Sequence, residues 1–106
     1  MSPEVQSGYQ EILNEGPRRG NWEFGTVRLP AGESWININC VSDDQTADVQ
    51  LIVHDVGAFT VGCSEERVEK NANQFTFRVK RKARISIDAS EKARWTVSVQ
   101  VPTRPE

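Results

Sequence analysis

A chain of 106 residues, 37% apolar and 26% charged, has material for one independently folding core and no room for a second domain. That balance excludes a composition biased to disorder, and no window approaches the roughly 18 consecutive apolar residues a membrane-crossing helix requires. The formal net charge of -2 conceals a segregation: residues 41–70 set Asp43, Asp44, Asp48, Asp55, Glu65, Glu66 and Glu69 against Arg67 and Lys70, whereas residues 78–94 set Arg78, Lys80, Arg81, Lys82, Arg84, Lys92 and Arg94 against Asp88 and Glu91.

In chain order, Met1-Ser2-Pro3-Glu4 lacks the basic and apolar regions of a signal peptide, so the chain is expected to be cytoplasmic or to have lost a leader. In the next segment Tyr9, Ile12 and Leu13 have a spacing that also suits a short amphipathic helix. Gly8, Asn14 and Gly16 bracket it as turn residues would, and it is read as an edge strand. Phe24 to Leu29 reads as a strand with a bulge at Gly25, closed by a turn at Pro30-Ala31-Gly32. From Trp35 to Val41 the side chains alternate: Ile36, Ile38 and Cys40 on one face, Trp35, Asn37, Asn39 and Val41 on the other.

The run from Ala47 to His54 sends Val49, Leu51 and Val53 inward, and Phe59, Val61 and Cys63 continue the pattern. Between them Asp55-Val56-Gly57 has hairpin chemistry, with Gly57 supplying the positive φ. Phe75, Phe77 and Val79 then alternate with Thr76, Arg78 and Lys80, and Ile85, Ile87 and Ala89 with Arg84, Ser86 and Asp88; a turn is expected at Arg81-Lys82. The last strand is the cleanest. Ala93, Trp95, Val97, Val99 and Val101 share the core face, Arg94, Thr96, Ser98 and Gln100 take the other, and Pro102, with no amide proton, stops it.

Seven or eight such strands, without a long helical pattern, predict an all-β fold: an antiparallel β-sandwich, jelly-roll or immunoglobulin-like. The expected organisation is an N-terminal segment over residues 1–21, a sandwich domain over 22–101 and a tail over 102–106.

Cys40 and Cys63 end the apolar faces of their strands, so a disulfide between them is expected if those strands pack together; unlinked buried thiols are the alternative. A bridge implies an oxidising compartment. There is no CxxC motif, and one histidine leaves too few ligands for a zinc site or a Cys/His catalytic pair, so no metal and no cofactor is expected.

Two surface features suggest ligands. Trp35, Asn37 and Asn39, with Trp22 as a further contact, combine an aromatic ring with amides, which suits a sugar; Trp35 packed under a loop or the N-terminal segment is the structural alternative. Arg78, Lys80, Arg81, Lys82 and Arg84 form a basic tip that would attract an anion in a salt-dependent way, or would simply guard a sheet edge against pairing. The acidic stretch Ser42 to Asp48 offers oxygen ligands but not the spacing of an EF-hand. His54 beside Asp55 is expected to fall on opposite strand faces, and no GxSxG, HExxH or phosphate-cradling glycine loop occurs, so an enzyme is not expected. Net acidity and the lack of a recognised motif argue against sequence-specific nucleic-acid binding.

Trp35-Ile-x-Ile-x-Cys40, Phe59-x-Val-x-Cys63 and Trp95-x-Val-x-Val99, taken in order over residues 22–101, resemble the small β-sandwich domains of actinobacterial exported proteins and lipoproteins. The resemblance implies an envelope-associated, non-enzymatic domain; this chain departs from it in having no leader or lipobox cysteine near its start. The expected function is a non-catalytic binding or interaction module, extracytoplasmic, whose partner is a protein or cell-envelope polymer. A carbohydrate-binding module and a cytoplasmic structural or assembly domain are the alternatives, and the oligomeric state is left open.

Overall fold

A computed structural model describes residues 1–43 and 47–103, whose regular structure is entirely β-strand. In chain order the strands are β1 (Tyr9–Arg19), β2 (Trp22–Leu29), β3 (Gly32–Ser42), β4 (Ala47–Val53), β5 (Gly57–Cys63), β6 (Glu69–Phe77), β7 (Arg81–Ala89) and β8 (Ala93–Pro102). They form two antiparallel four-stranded sheets, ordered β1-β8-β3-β6 and β2-β7-β4-β5. Only β4 and β5 are joined as a hairpin within one sheet; every other connection crosses between sheets. That wrapped order is a jelly roll. An immunoglobulin-like sandwich groups its strands differently. No helix among the described residues is long and apolar enough to cross a membrane.

The period-two alternation builds the core. Ile36, Ile38 and Cys40 from β3, and Trp95, Val97 and Val99 from β8, meet Val49, Leu51 and Val53 from β4 and Ile85 and Ile87 from β7, all at most 2% exposed. Burial on this scale stabilises by roughly 1.5–3 kcal/mol per large side chain. Trp95 is the largest of them. Its indole N-H donates to the Gly20 carbonyl at 3.0 Å, so the one polar atom of the ring is satisfied. Cys40 and Cys63 are bridged, their Cα atoms 5.5 Å apart, and the bond ties β3 of one sheet to β5 of the other.

Several local expectations hold. Gly25 has φ +78° at a register shift between Glu23 and Gly25, which is the expected bulge. The segment before Gly16 is an edge strand, β1, and it belongs to the sandwich through its pairing with β8 from Tyr9 to Arg19. The sandwich therefore begins at Tyr9 and not at residue 22. Of the expected tail, Thr103 donates its backbone N-H to the Gly8 carbonyl at 3.0 Å, and 104–106 lie outside the described residues.

Three expectations are corrected. β6 ends at Phe77, so Val79 lies in the turn before β7 and is 71% exposed, whereas the alternation had carried it inward. The turn comprises Arg78, Val79 and Lys80, and Arg81 and Lys82 begin β7, where they pair with Leu29 and Arg28. In the β4–β5 hairpin the left-handed residue is Asp55, φ 65°, not Gly57; Asp tolerates this region because its short carboxylate can bond locally.

The two outer faces differ. On the outer face of the β1-β8-β3-β6 sheet, Thr96, Ser98 and Gln100 of β8 are wholly buried, although the alternation assigns them to the polar side. An N-terminal segment, residues 1–8, covers this face. Gln100 donates its side-chain N-H to the Glu4 carbonyl at 2.9 Å and accepts from the Gln6 backbone N-H at 2.9 Å, and Asn39 donates to the Met1 carbonyl at 2.7 Å. Glu11 accepts from Ser98 and from Asn14.

Candidate functional site

The covered face contains most of the residues expected to bind a sugar, in a different setting from an open strand surface. Asn37 and Asn39 stand two residues apart on β3 and are 6% and 5% exposed. A pocket of about 430 Å³ lies beside them, walled by β6 through Lys70, Asn71 and Ala72 and by the N-terminal segment through Pro3 and Glu4. The side-chain carbonyl of Asn37, like that of Asn71, is buried with no hydrogen-bond partner among the described residues. Trp35 lies further along β3, half-buried, and does not line this pocket. Trp22 is elsewhere altogether: it belongs to β2 in the other sheet, packs against the core and carries the Arg18 guanidinium 3.4 Å above its ring. The fold thus keeps Asn37 with Asn39 and separates both from Trp22.

The outer face of the other sheet is open and basic at one end. Antiparallel pairing sets Arg28 of β2 directly opposite Lys82 of β7, and Thr26 opposite Arg84. Two depressions meet at Lys82. One, about 370 Å³, is lined by Arg28, Leu29, Lys80, Arg81 and Lys82; the other, about 400 Å³, by Thr26, His54, Asp55, Lys82 and Arg84. Among the described residues no carboxylate lies within 4 Å of Arg28, Arg78, Lys80 or Lys82. Arg84 reaches Glu23 only at 3.9 Å, with both side chains well exposed, and Arg81 lies 5.4 Å from the centre of the Phe77 ring.

Like charges directly opposite in a ladder repel. An anion laid along Lys82 would offset that repulsion, and the two concavities give it a seat. Sequence reasoning found the β7 cations but missed Arg28, whose alternation shows only that it faces outward; pairing with Lys82 is a tertiary fact. The expectation that His54 and Asp55 fall on opposite strand faces is corrected. His54 accompanies Asp55 in one depression because β4 ends at Val53, so the two are not successive strand residues; His54 Nε2 lies 3.1 Å from the Ser86 hydroxyl.

The far end of the sandwich carries acids interspersed with cations. Glu65 and Glu66 lie in the connection into β6, and Asp43 follows β3 and pairs with Arg19. Asp44 lies outside the described residues, as do Gln45 and Thr46, so the expected oxygen-rich loop is only partly described; among the described residues no cluster of three His, Cys, Asp or Glu side chains is placed to hold a metal ion.

No protein-family model matches the sequence, and no curated protein does. Among solved structures, the chain is similar to a tryptic core variant of Bacillus thuringiensis Cry1Da, at 10% identity and a TM-score of 0.46, over 96% of this chain and 22% of that one. It is also similar to a virus-like particle of the giant freshwater prawn Macrobrachium rosenbergii extra small virus, at 10% identity and a TM-score of 0.46, over 93% of this chain and 82% of that one. The strand order, not these likenesses, carries the jelly-roll assignment.

Proposed function

We propose that the protein is a non-catalytic binding module that recognises an anionic polymer through the basic end of the β2-β7-β4-β5 sheet. The observation that carries this reading is the cross-strand juxtaposition of Arg28 and Lys82 without an acidic neighbour within 4 Å among the described residues. Flanking Lys80, Arg81 and Arg84 extend the cationic surface along two adjoining depressions, so a chain of spaced negative charges suits it better than a single ion. The Cys40–Cys63 bridge supports an extracytoplasmic setting, since disulfides persist in oxidising compartments, and in that setting a cell-envelope polymer is the ligand class of choice.

The test uses heparin and poly-glutamate as probes, with affinity measured at two salt concentrations. Between about 0.01 M and about 0.1 M salt the screening length shortens from ~30 Å to ~10 Å, so binding is expected to weaken by about tenfold or more. Replacing Arg28, Lys80 and Lys82 together by Ser is expected to abolish it. Arg94→Ser, at the opposite end of the strands, is expected to leave it unchanged. Failure to bind either probe at low salt, or binding indifferent to salt, refutes the reading.

A further inference from the structure

The pocket between the N-terminal segment and the β3–β6 pair is distinct from the basic end: it lies against the other sheet, and none of its lining residues belongs to the cationic cluster. Its chemistry is also different. Asn37 is 94% buried, lines the pocket, and has a side-chain carbonyl with no donor among the described residues. Leaving such an acceptor unpaired is costly, so the group is primed for a partner that donates. Beside it Lys70 supplies a donor and Glu4 an acceptor, and their opposite charges offset each other. Asn39 is already committed through its N-H to the Met1 carbonyl, which anchors the roof.

We propose that this pocket binds a neutral polyhydroxylated ligand of about one pyranose ring. A carboxylate has no proton to give Asn37, and an apolar molecule would leave its carbonyl unpaired. A hydroxyl donates to the Asn37 carbonyl while accepting from Lys70, and a neighbouring hydroxyl donates to Glu4. Pro3 gives an apolar wall for the C-H face of a ring. The volume, about 430 Å³, lies within the range of ordinary ligand sites. Trp35 and Trp22 take no part, so the site differs from an exposed aromatic platform.

The experiment is a nitrogen-15 NMR titration of the full chain with glucose, mannose, galactose and N-acetylglucosamine, following the side-chain amide signals of Asn37 and Asn39. At least one sugar is expected to shift both saturably, with a Kd of about 1 mM. Asn37→Leu is expected to weaken that response at least tenfold, and Ala72→Leu, which narrows the pocket at an exposed strand position while leaving Asn37 intact, to do the same. The variant lacking Arg28, Lys80 and Lys82 is expected to bind the sugar normally, which separates this proposal from the anionic one. No saturable shift with any of the four sugars overturns the proposal, and so does a response undiminished in a folded Asn37→Leu or Ala72→Leu variant.

Discussion

Gly16 lies where β1 steps across β8, with φ +114°, and the position a Cβ would occupy is 2.5 Å from the Trp95 carbonyl oxygen and 3.0 Å from Thr96 Cα. Both obstacles are backbone, so neither can rotate away. Gly16→Ala combines an unfavourable left-handed φ with this overlap and is expected to lose about 2–3 kcal/mol, a fall of roughly 10 °C or more in Tm for a domain of this size, read by thermal melting. Gly25, also left-handed at φ +78°, has open space around its missing Cβ; Gly25→Ala is expected to cost less, about 1 kcal/mol. The difference in crowding at these two glycines is invisible in the sequence, where Gly16 reads as a turn residue and Gly25 as a bulge. Trp95 was legible as core from its place in the Ala93 to Val101 alternation. Its hydrogen-bond acceptor, the Gly20 carbonyl, was not, since a contact across 75 residues requires the fold.

At the scale of elements, the Cys40–Cys63 bridge joins two strands in different sheets and closes a loop with a sequence separation of 23. Replacing both cysteines by Ala is expected to cost about 3 kcal/mol in the chain-entropy account, measured by chemical denaturation. A thiol titration of the unfolded protein should find no free thiol before reduction and two per chain after it. The β2–β7 ladder makes a second prediction. Arg28→Ser removes one half of a like-charged cross-strand pair and is expected to raise stability by up to about 1 kcal/mol at low salt. The gain should vanish near 1 M salt, where the screening length is about 3 Å, and thermal melts at the two salt concentrations check it. Strand identities were readable because period two survives almost throughout β3, β4, β7 and β8. The boundary between β6 and β7 was not: Val79 continues the apolar alternation of Phe75 and Phe77, yet register with Gly32 ends the strand at Phe77 and leaves Val79 in solvent.

Over the whole molecule, the charged stretches of the sequence are divided between the two ends of one sandwich: Asp55 of the acidic stretch lies beside Lys82 and Arg84, and Arg94 of the basic stretch lies at the opposite end. Antiparallel strands send the β6–β7 turn to one end and the β5–β6 and β7–β8 connections to the other. Arg28 joins Lys80, Arg81 and Lys82 at the basic end, and Glu65, Glu66 and Glu91 lie toward the opposite end. A module with this distribution is expected to bind heparin in a strictly salt-dependent manner and to lose that binding, without loss of fold, in the Arg28, Lys80 and Lys82 variant; circular dichroism beside the binding curve checks both halves.

The sequence by itself determined the class of fold, the alternating core, Trp95 as its largest member and the candidacy of the two cysteines, because these follow from local chemistry and a period of two along each strand. Tertiary structure decided the rest: jelly-roll order over an immunoglobulin-like one, the bridge itself, Arg28 beside Lys82, the separation of Trp22 from Trp35, and the burial of Asn37, Asn39 and Gln100 beneath residues 1–8. Each depends on which distant strands become neighbours and on what covers a sheet's outer face. Alternation tells inside from outside for a single sheet, but a polar face is solvated only until another segment of the chain lies on it.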